Sequence, residues 1–470
     1  MQQHNAKQNP LPSGMGSINH IKAVGLLLLM ALLGCAHLLI RSHYHLINYD
    51  GFYFHFIAHQ ILEGTAIPLI GSGLAYPLAV LGHVVGLDVA SLMIPPLLGI
   101  TTGLVLYWGV SKLYSPKIGL LTVVCFVFAQ IPRLFYLSGN LDRDGLHLLV
   151  MTAGILGLGL FFKTQQKKYL GLLLGTIPVL VWEWGLFGLL QYVPALLLII
   201  GLVSVYRWDD GRFWMGTGLL AVAFFCLGRV VMEFSIFQRV AVVELEPLNV
   251  QTVIQYATIA VPLVFGFKRS DGFAMSWFLS FILMGYFASR LSVYAAAPAC
   301  IIGANGLDIL WEKRSEWRYV FGAGCLMLLS LCWMVPQNMS MPKDWHNALV
   351  WVEGNTDHDA EIAVWWSYGW WVWDVSGRTT PATQASDAEV DALASLYFAR
   401  NPQEAQAIMA ANHWDYVVMS TREEHFMDAI RDRVPEYTGS PEFYTQVMDG
   451  EVPAVYRNQT VAVLRSPLTP

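Results

Sequence analysis

Residues 90–111 read ASLMIPPLLGITTGLVLYWGVS, twenty-two positions without one charged side chain. At about 1.5 Å of rise per residue, such a helix spans the roughly 30 Å hydrocarbon core of a bilayer. Lys112 and Lys117 close the run on one side. Working outward, similar runs predict spans at 22–40, 117–136, 145–162, 169–183, 186–205, 214–232, 251–267, 272–289, 291–311 and 318–335. With 90–111 they make about eleven helices.

Composition agrees. The 470 residues are 55% apolar and only 13% charged, and the mean hydropathy is +0.47. A soluble domain carries about 25% charged residues, so this chain lacks the charge to cover a water-facing surface of its size. An ordinary cytosolic enzyme and a disordered chain are excluded. The net charge of -6 leaves no basic footprint for nucleic acid. All six cysteines fall in apolar runs without metal-ligand spacing. Cys35 reads as a small residue of the first span, because the apolar run continues past it, rather than as a lipoprotein cleavage site.

Basic residues set the orientation. Lys112, Lys117, Lys163, Lys167, Lys168, Arg207, Arg212, Lys268, Arg269, Lys313, Arg314 and Arg318 all fall in alternate loops. By the positive-inside rule those loops are cytoplasmic. Residues 1–21 are then expected as a flexible cytoplasmic tail and 22–335 as a transmembrane domain. Residues 336–470 are expected as a domain on the exoplasmic or periplasmic side of the cell membrane. In that last part, the strand-like Tyr416-Val417-Val418-Met419 follows a helical pattern from Pro402 to Asn412, which predicts a small α/β domain.

The outer loops, 41–89, 137–144 and 233–250, carry acids. They hold Asp50 in Tyr49-Asp50-Gly51, Asp142 and Asp144 around Arg143, and Glu244 ahead of Glu246-Pro247. Carboxylates at the ends of spans are costly to desolvate and are usually functional or paired. Gathered on one face, they would suit a divalent cation held by hard oxygen ligands. Taken singly, each equally well solvates its own loop. Arg290 sits between two apolar runs at the same face, and Arg229 lies inside the 214–232 span near its outer end. Each reads either as a phosphate-binding fork or as a snorkelling anchor.

The densest signal is Val364-Trp365-Trp366-Ser367-Tyr368-Gly369-Trp370-Trp371. An aromatic pair beside a small polar residue makes a dry pocket with one hydrogen-bonding group, suited to a peptide side chain. Trp370, Trp371 and Trp373 are expected as an aromatic belt where the domain rests on the membrane.

Trp365-Trp366-Ser367-Tyr368-Gly369 resembles the WWDYG signature of the oligosaccharyltransferase catalytic subunit family, and Ser376-Gly377-Arg378-Thr379-Thr380 looks like the stretch that follows it. Asp50-Gly51 with Glu63-Gly64 resembles the family's first acidic motif, and Ser138-Gly139 with Asp142-Arg143-Asp144 its second. Glu244 ahead of Pro247 resembles the external-loop glutamate, and Arg290 the arginine facing the lipid pyrophosphate. Three features depart from the family. The spans are fewer, the exported domain is short, with Phe426-Met427-Asp428-Ala429-Ile430 as the one stretch suited to its later motif, and Ser367 stands where the signature has Asp.

The resemblance implies a polytopic GT-C membrane fold with a C-terminal exoplasmic α/β domain. It further implies transfer of a glycan from a polyprenyl (pyro)phosphate carrier to the side-chain amide of Asn in exported proteins. Asp50, Asp142, Asp144 and Glu244 would hold Mg²⁺ or Mn²⁺, and Asp50 and Glu244 would also engage the amide nitrogen. Arg290, with Arg229, would bind the donor pyrophosphate. Trp365, Trp366, Ser367, Tyr368 and Gly369 would bind the acceptor peptide. Two alternatives stand beside it: the same donor chemistry with a Ser/Thr, lipid or glycan acceptor, and a non-enzymatic membrane subunit or transporter. Two formal acceptor sites, Asn338-Met339-Ser340 and Asn458-Gln459-Thr460, lie in the exported domain, and Asn458 is the one expected to be self-modified.

Overall fold

The computed structural model describes residues 21–22, 24–25, 28, 49–64, 73–129, 136, 141–184, 196–202, 259–267, 270, 272–287, 293–312, 324, 341–381, 387–435 and 439–466. Its helices fall into two groups. The first runs α1 (Tyr49–Glu63), α2 (Ala75–Val85), α3 (Leu87–Leu113), α4 (Pro116–Phe128), α5 (Arg143–Thr164), α6 (Lys167–Trp184), α7 (Ala260–Gly266), α8 (Gly272–Phe287) and α9 (Ala296–Glu312). The second, in the C-terminal part, runs α10 (Lys343–Asn355), α11 (Gly369–Ser376), α12 (Asp387–Tyr397), α13 (Pro402–Ala411), α14 (Met427–Arg433) and α15 (Glu442–Asp449).

Three described helices are long and apolar enough to cross a membrane: α3, α5, and α9 with the 3-10 turn Val293–Ala295 before it. They cover the predicted spans at 90–111, 145–162 and 291–311. The predicted 117–136 span is shorter as a helix, because the chain turns extended at Ala129 after Phe128. The span at 214–232, and most of those at 22–40 and 318–335, lie outside the described residues. Local signals set the ends. Pro116 follows the cap Ser115, whose side chain accepts from the backbone of Ile118, the arrangement expected of a helix start. Asp142 caps α5 in the same way, accepting from the backbone N–H of Asp144 at 2.8 Å.

The membrane bundle is held by dispersion and close approach, since lipid supplies no hydrophobic drive between helices. Helices α7 and α9 touch backbone to backbone: a side chain at Gly306 would collide with the carbonyl of Pro262, and one at Gly266 with that of Ile302. Lys117 at the start of α4 pairs with the buried carboxylate of Asp308 near the end of α9.

A loop is predicted over 41–89, and the structure corrects this: α1 and α2 fill most of it. Helix α2 runs directly into α3 through Gly86, whose φ of +89° is open to glycine and strained for other residues. The buried positions of α1 (Phe52, Phe54, Ile57 and Ala58) join a core that includes Leu78 of α2, Ala90 and Ile94 of α3, and the whole interior of the C-terminal part. That part is built on a four-stranded sheet in the order β1 (Ile362–Ala363), β2 (Tyr416–Ser420), β4 (Val461–Arg465), β3 (Tyr456–Arg457). Strand β1 pairs with β2 in parallel, and β4 is antiparallel to both β2 and β3. Every residue of β2 is buried, as expected for a short apolar central strand covered on both faces.

Candidate functional site

Asp142 and Asp144 meet at the N-terminus of α5. Asp142 is half-buried at the cap, and Asp144 is 5% exposed. Exposed backbone N–H groups and the helix dipole favour negative charge at this end. Tyr294, in the turn before α9, donates its hydroxyl to Asp144 Oδ1 at 2.9 Å, and His147 Nδ1 lies 3.9 Å from the same oxygen. Two helices that are remote in sequence therefore grip one carboxylate.

The Trp365–Gly369 motif forms a 3-10 turn at Trp366–Tyr368 leading into α11. Trp365 is buried edge-on to Tyr397, with ring centres 6.1 Å apart. Tyr368 is fully buried between Trp345, at 4.7 Å, and Trp371, at 5.1 Å. Gly369 is buried too, whereas Ser367 is partly exposed. The motif therefore keeps Trp365 and Tyr368 inside and leaves Ser367 partly open to the surface. Arg378 is also largely internal. Its guanidinium donates to the carbonyls of Ser376, Glu353 and Thr356, closing the C-terminal end of α10.

The expected membrane belt is corrected. Trp371 is fully buried and packs on Phe52 at 6.0 Å. Trp370 meets Tyr53 at 4.9 Å and Phe56 at 5.3 Å, and Trp373 meets Phe56 at 4.0 Å. These rings dock α11 on α1. Sequence reveals the aromatic density but not its partner.

Asp50 is the second residue of α1, and its side chain and that of Trp366 lie outside the described residues, as do Arg229, Glu244 and Arg290 altogether. Among the described residues no group of three or more His, Cys, Asp or Glu could hold a metal ion. The donor chemistry of Asp142 and Asp144, two carboxylates at one helix start, fits a hard dication completed by ligands from other loops. Leu141, beside Asp142, belongs to the same core as Phe52 and Trp365.

Sequence reasoning passed over three groups. His147 and Tyr294 bracket Asp144, and the (i, i+3) spacing of Asp144 and His147 was the readable signal. His55 lies between Asp374 and Asp88, with Nδ1 2.7 Å from Asp374 and Nε2 3.2 Å from Asp88. Burial pulls its pKa down, but hydrogen bonds and charge from the two carboxylates outweigh that and hold it above the ordinary value. Glu423 is fully buried beneath the motif. Its Oε2 accepts from the backbone and hydroxyl of Ser420, both at 2.7 Å. Burial pushes its carboxyl up to about 7, and burial together with Glu423 raises the Tyr397 hydroxyl.

Asn458, the expected self-acceptor, is hydrogen-bonded within the fold. Its amide nitrogen donates to the carbonyl of Asp344 at 2.8 Å, and its oxygen accepts from the backbone of Thr460 and Val461. The sequon is built into the fold, with Thr460 bonded to the Asp344 carboxylate. The amide nitrogen donates both to Asp344 and to the Tyr456 hydroxyl, so attaching a glycan to it would displace one of these bonds. Asn338 lies outside the described residues.

The chain is a polytopic α-helical membrane protein with a C-terminal α/β domain, and its fold is that of the GT-C membrane glycosyltransferases. It resembles the archaeal oligosaccharyltransferase AglB of Archaeoglobus fulgidus, solved with an inhibitory peptide and a dolichol-phosphate. The TM-score is 0.64 and the identity 13%, over 87% of this chain and 70% of that one. An Archaeoglobus fulgidus oligosaccharyltransferase tethered to an acceptor peptide containing the NVT sequon gives a TM-score of 0.63 at 13% identity, over 90% of this chain and 72% of that one. It has also been solved with zinc and sulfate. ArnT of Cupriavidus metallidurans, bound to undecaprenyl phosphate, gives 0.58 at 12% identity, over 98% of this chain and 100% of that one. No family profile and no curated protein matches the sequence.

Proposed function

We propose that the protein transfers a glycan from a polyprenyl (pyro)phosphate carrier to the side-chain amide of Asn in exported proteins, at the outer face of the membrane. One observation carries this reading. The start of α1 that bears Asp50 and the Trp365–Gly369 motif share one core, and Leu141, just before the acidic start of α5, belongs to it, in a fold shared with an oligosaccharyltransferase.

An amide nitrogen is a poor nucleophile because its lone pair is delocalised into the carbonyl. Asp50 and Glu244 accept hydrogen bonds from its N–H groups and weaken that delocalisation. Mg²⁺ or Mn²⁺, held by Asp50, Asp142 and Glu244 with Asp144 beside them, would offset the repulsion among these carboxylates. Arg290 stabilises charge on the departing diphosphate, with Arg229 a further contact to the donor. Arg290 stands four residues before Tyr294, so its backbone is at most about 14 Å from the residue that grips Asp144. Ser367, Trp365 and Trp366 receive the acceptor's hydroxyl residue, with Tyr368 and Gly369 shaping the turn that presents Ser367.

A second reading keeps the donor and changes the acceptor to Ser/Thr, a lipid or another glycan. Ser367 in place of a carboxylate favours it, as does the end-to-end match in length with ArnT. Mass spectrometry of exported glycoproteins with and without the gene tests both. Glycans on Asn that vanish with the gene support the first reading. Loss of glycans elsewhere supports the second.

A further inference from the structure

The ring of His55 joins three elements. It sits on α1, five residues or about 7.5 Å of helix axis after Asp50. Asp374, on α11, has a side chain only 2% exposed, and Asp88, in the first turn of α3, is 71% exposed. We infer that His55 is a positioning residue for transfer: by donating from both ring nitrogens to Asp374 and Asp88, it fixes the Asp50 end of α1 against the acceptor motif that leads into α11. The inference rests on the proposed transferase reading.

The chemistry follows from the partners. An ionised carboxylate only accepts, and a neutral imidazole has one N–H. Bonds to two carboxylates therefore select the imidazolium, which agrees with the raised pKa of His55. Among the described residues, Asp374 from α11 and Asp88 from α3 are carboxylates that act on the ring. On its own helix, His59 and Glu63 pair with each other at 3.4 Å. The aromatic contacts of Phe52, Tyr53 and Phe56 with α11 fix the distance between the two helices. Rings slide over one another, whereas the 2.7 Å bond to a buried carboxylate sets the register.

The folded pKa lies above the unfolded value of about 6.5, so the docking is complete below that pH and weakens as pH rises through the folded pKa. Misplacing a reacting group by about 1 Å costs on the order of a hundredfold in rate.

The test uses the full-length protein in nanodiscs, with an Asn-Val-Thr peptide and lipid-linked donor extracted from source membranes. His55→Gln should lower kcat by about tenfold to a hundredfold with little change in the peptide KM, because the acceptor pocket is intact. His55→Lys, cationic at all working pH values, should retain more activity and lose the alkaline decline of the wild type. Hydrogen exchange of the 49–63 peptide, corrected for its intrinsic pH dependence, gives a readout free of turnover. Protection should fall at alkaline pH in the wild type, stay flat in His55→Lys, and be low throughout in His55→Gln. Asp374→Asn, a milder change, should shift the wild-type profile to lower pH. Wild-type exchange and pH profile in His55→Gln would overturn the inference. A wild type that docks α1 as described but transfers nothing to the peptide would remove the transferase reading instead.

Discussion

The hydroxyl of Tyr294 donates to Oδ1 of Asp144 across 2.9 Å, between two helices whose contacting residues are 150 positions apart in the chain. The bond is buried and its acceptor is a carboxylate, the class of hydrogen bond that contributes about 1.5–3 kcal/mol. Tyr294→Phe should therefore lower the thermal midpoint and raise the Mn²⁺ concentration needed for half-maximal transfer. A metal titration of the purified variant, run beside a melting curve, reads both.

The cap at Asp142 separates folding from chemistry. Asn caps a helix about as well as Asp, so Asp142→Asn should keep the melting curve of the wild type while transfer falls. Asp50→Asn should abolish turnover with peptide binding largely kept, as seen by anisotropy of a labelled peptide. Undiminished transfer in chelator-treated membranes would remove the metal from the scheme.

Ser367 is partly exposed, so a carboxylate placed there would be open to an acceptor. A charge-assisted bond exceeds a neutral one by on the order of 1 kcal/mol. Ser367→Asp should then tighten use of Asn-x-Thr peptides about fivefold to tenfold, mostly in KM. Ser367→Ala should cost little and Trp366→Ala more. Unchanged peptide kinetics in Ser367→Asp would favour the other-acceptor reading.

Glu423 gives a pH signature to the C-terminal domain. Its carboxyl titrates near 7 when folded, against an ordinary value of 4.5. Stability from the protonated form is complete below about 4.5 and is lost as pH rises to about 7, a change on the order of 3 kcal/mol. Gln also serves at this position of a capping box. Glu423→Gln should flatten the midpoint-versus-pH curve over that window, and a slope equal to the wild type's would refute the assignment.

Asn458→Gln should lower stability by about 1–2 kcal/mol through loss of the Asp344 and turn contacts. No glycan mass should be lost with it. A mass shift that disappears in this variant would show that the amide leaves its turn to react.

What could be read from sequence follows from how each signal is stored. The span at 90–111 needs only uninterrupted apolarity, and the β2 strand only its run of buried residues, so both are local. Helix α1 was hidden because polar residues interrupt its apolar positions, and α2 because its 11 residues are apolar but too few for a span; the buried face of α1 is completed by a domain hundreds of residues away. Asp144 was readable as an acid at a span end, but its grip by Tyr294 was not, because the pairing is a property of packing. Trp371 was visible as one of many aromatics, and only its contact with Phe52 tells a core ring from an interfacial one. Asn458 matched an acceptor pattern three residues long, too short to record that its amide was already committed.

The shared core of α1 and the C-terminal sheet also dictates an order of events during biosynthesis. Phe52 leaves the ribosome early, whereas Trp371 follows some three hundred residues later, after the intervening helices. Neither can bury its ring until both are present, so this nucleus closes across a long chain separation, which slows folding. Until then, the aromatic face of α1 waits uncovered beside the bilayer, a natural client for a chaperone that shields apolar surface during export.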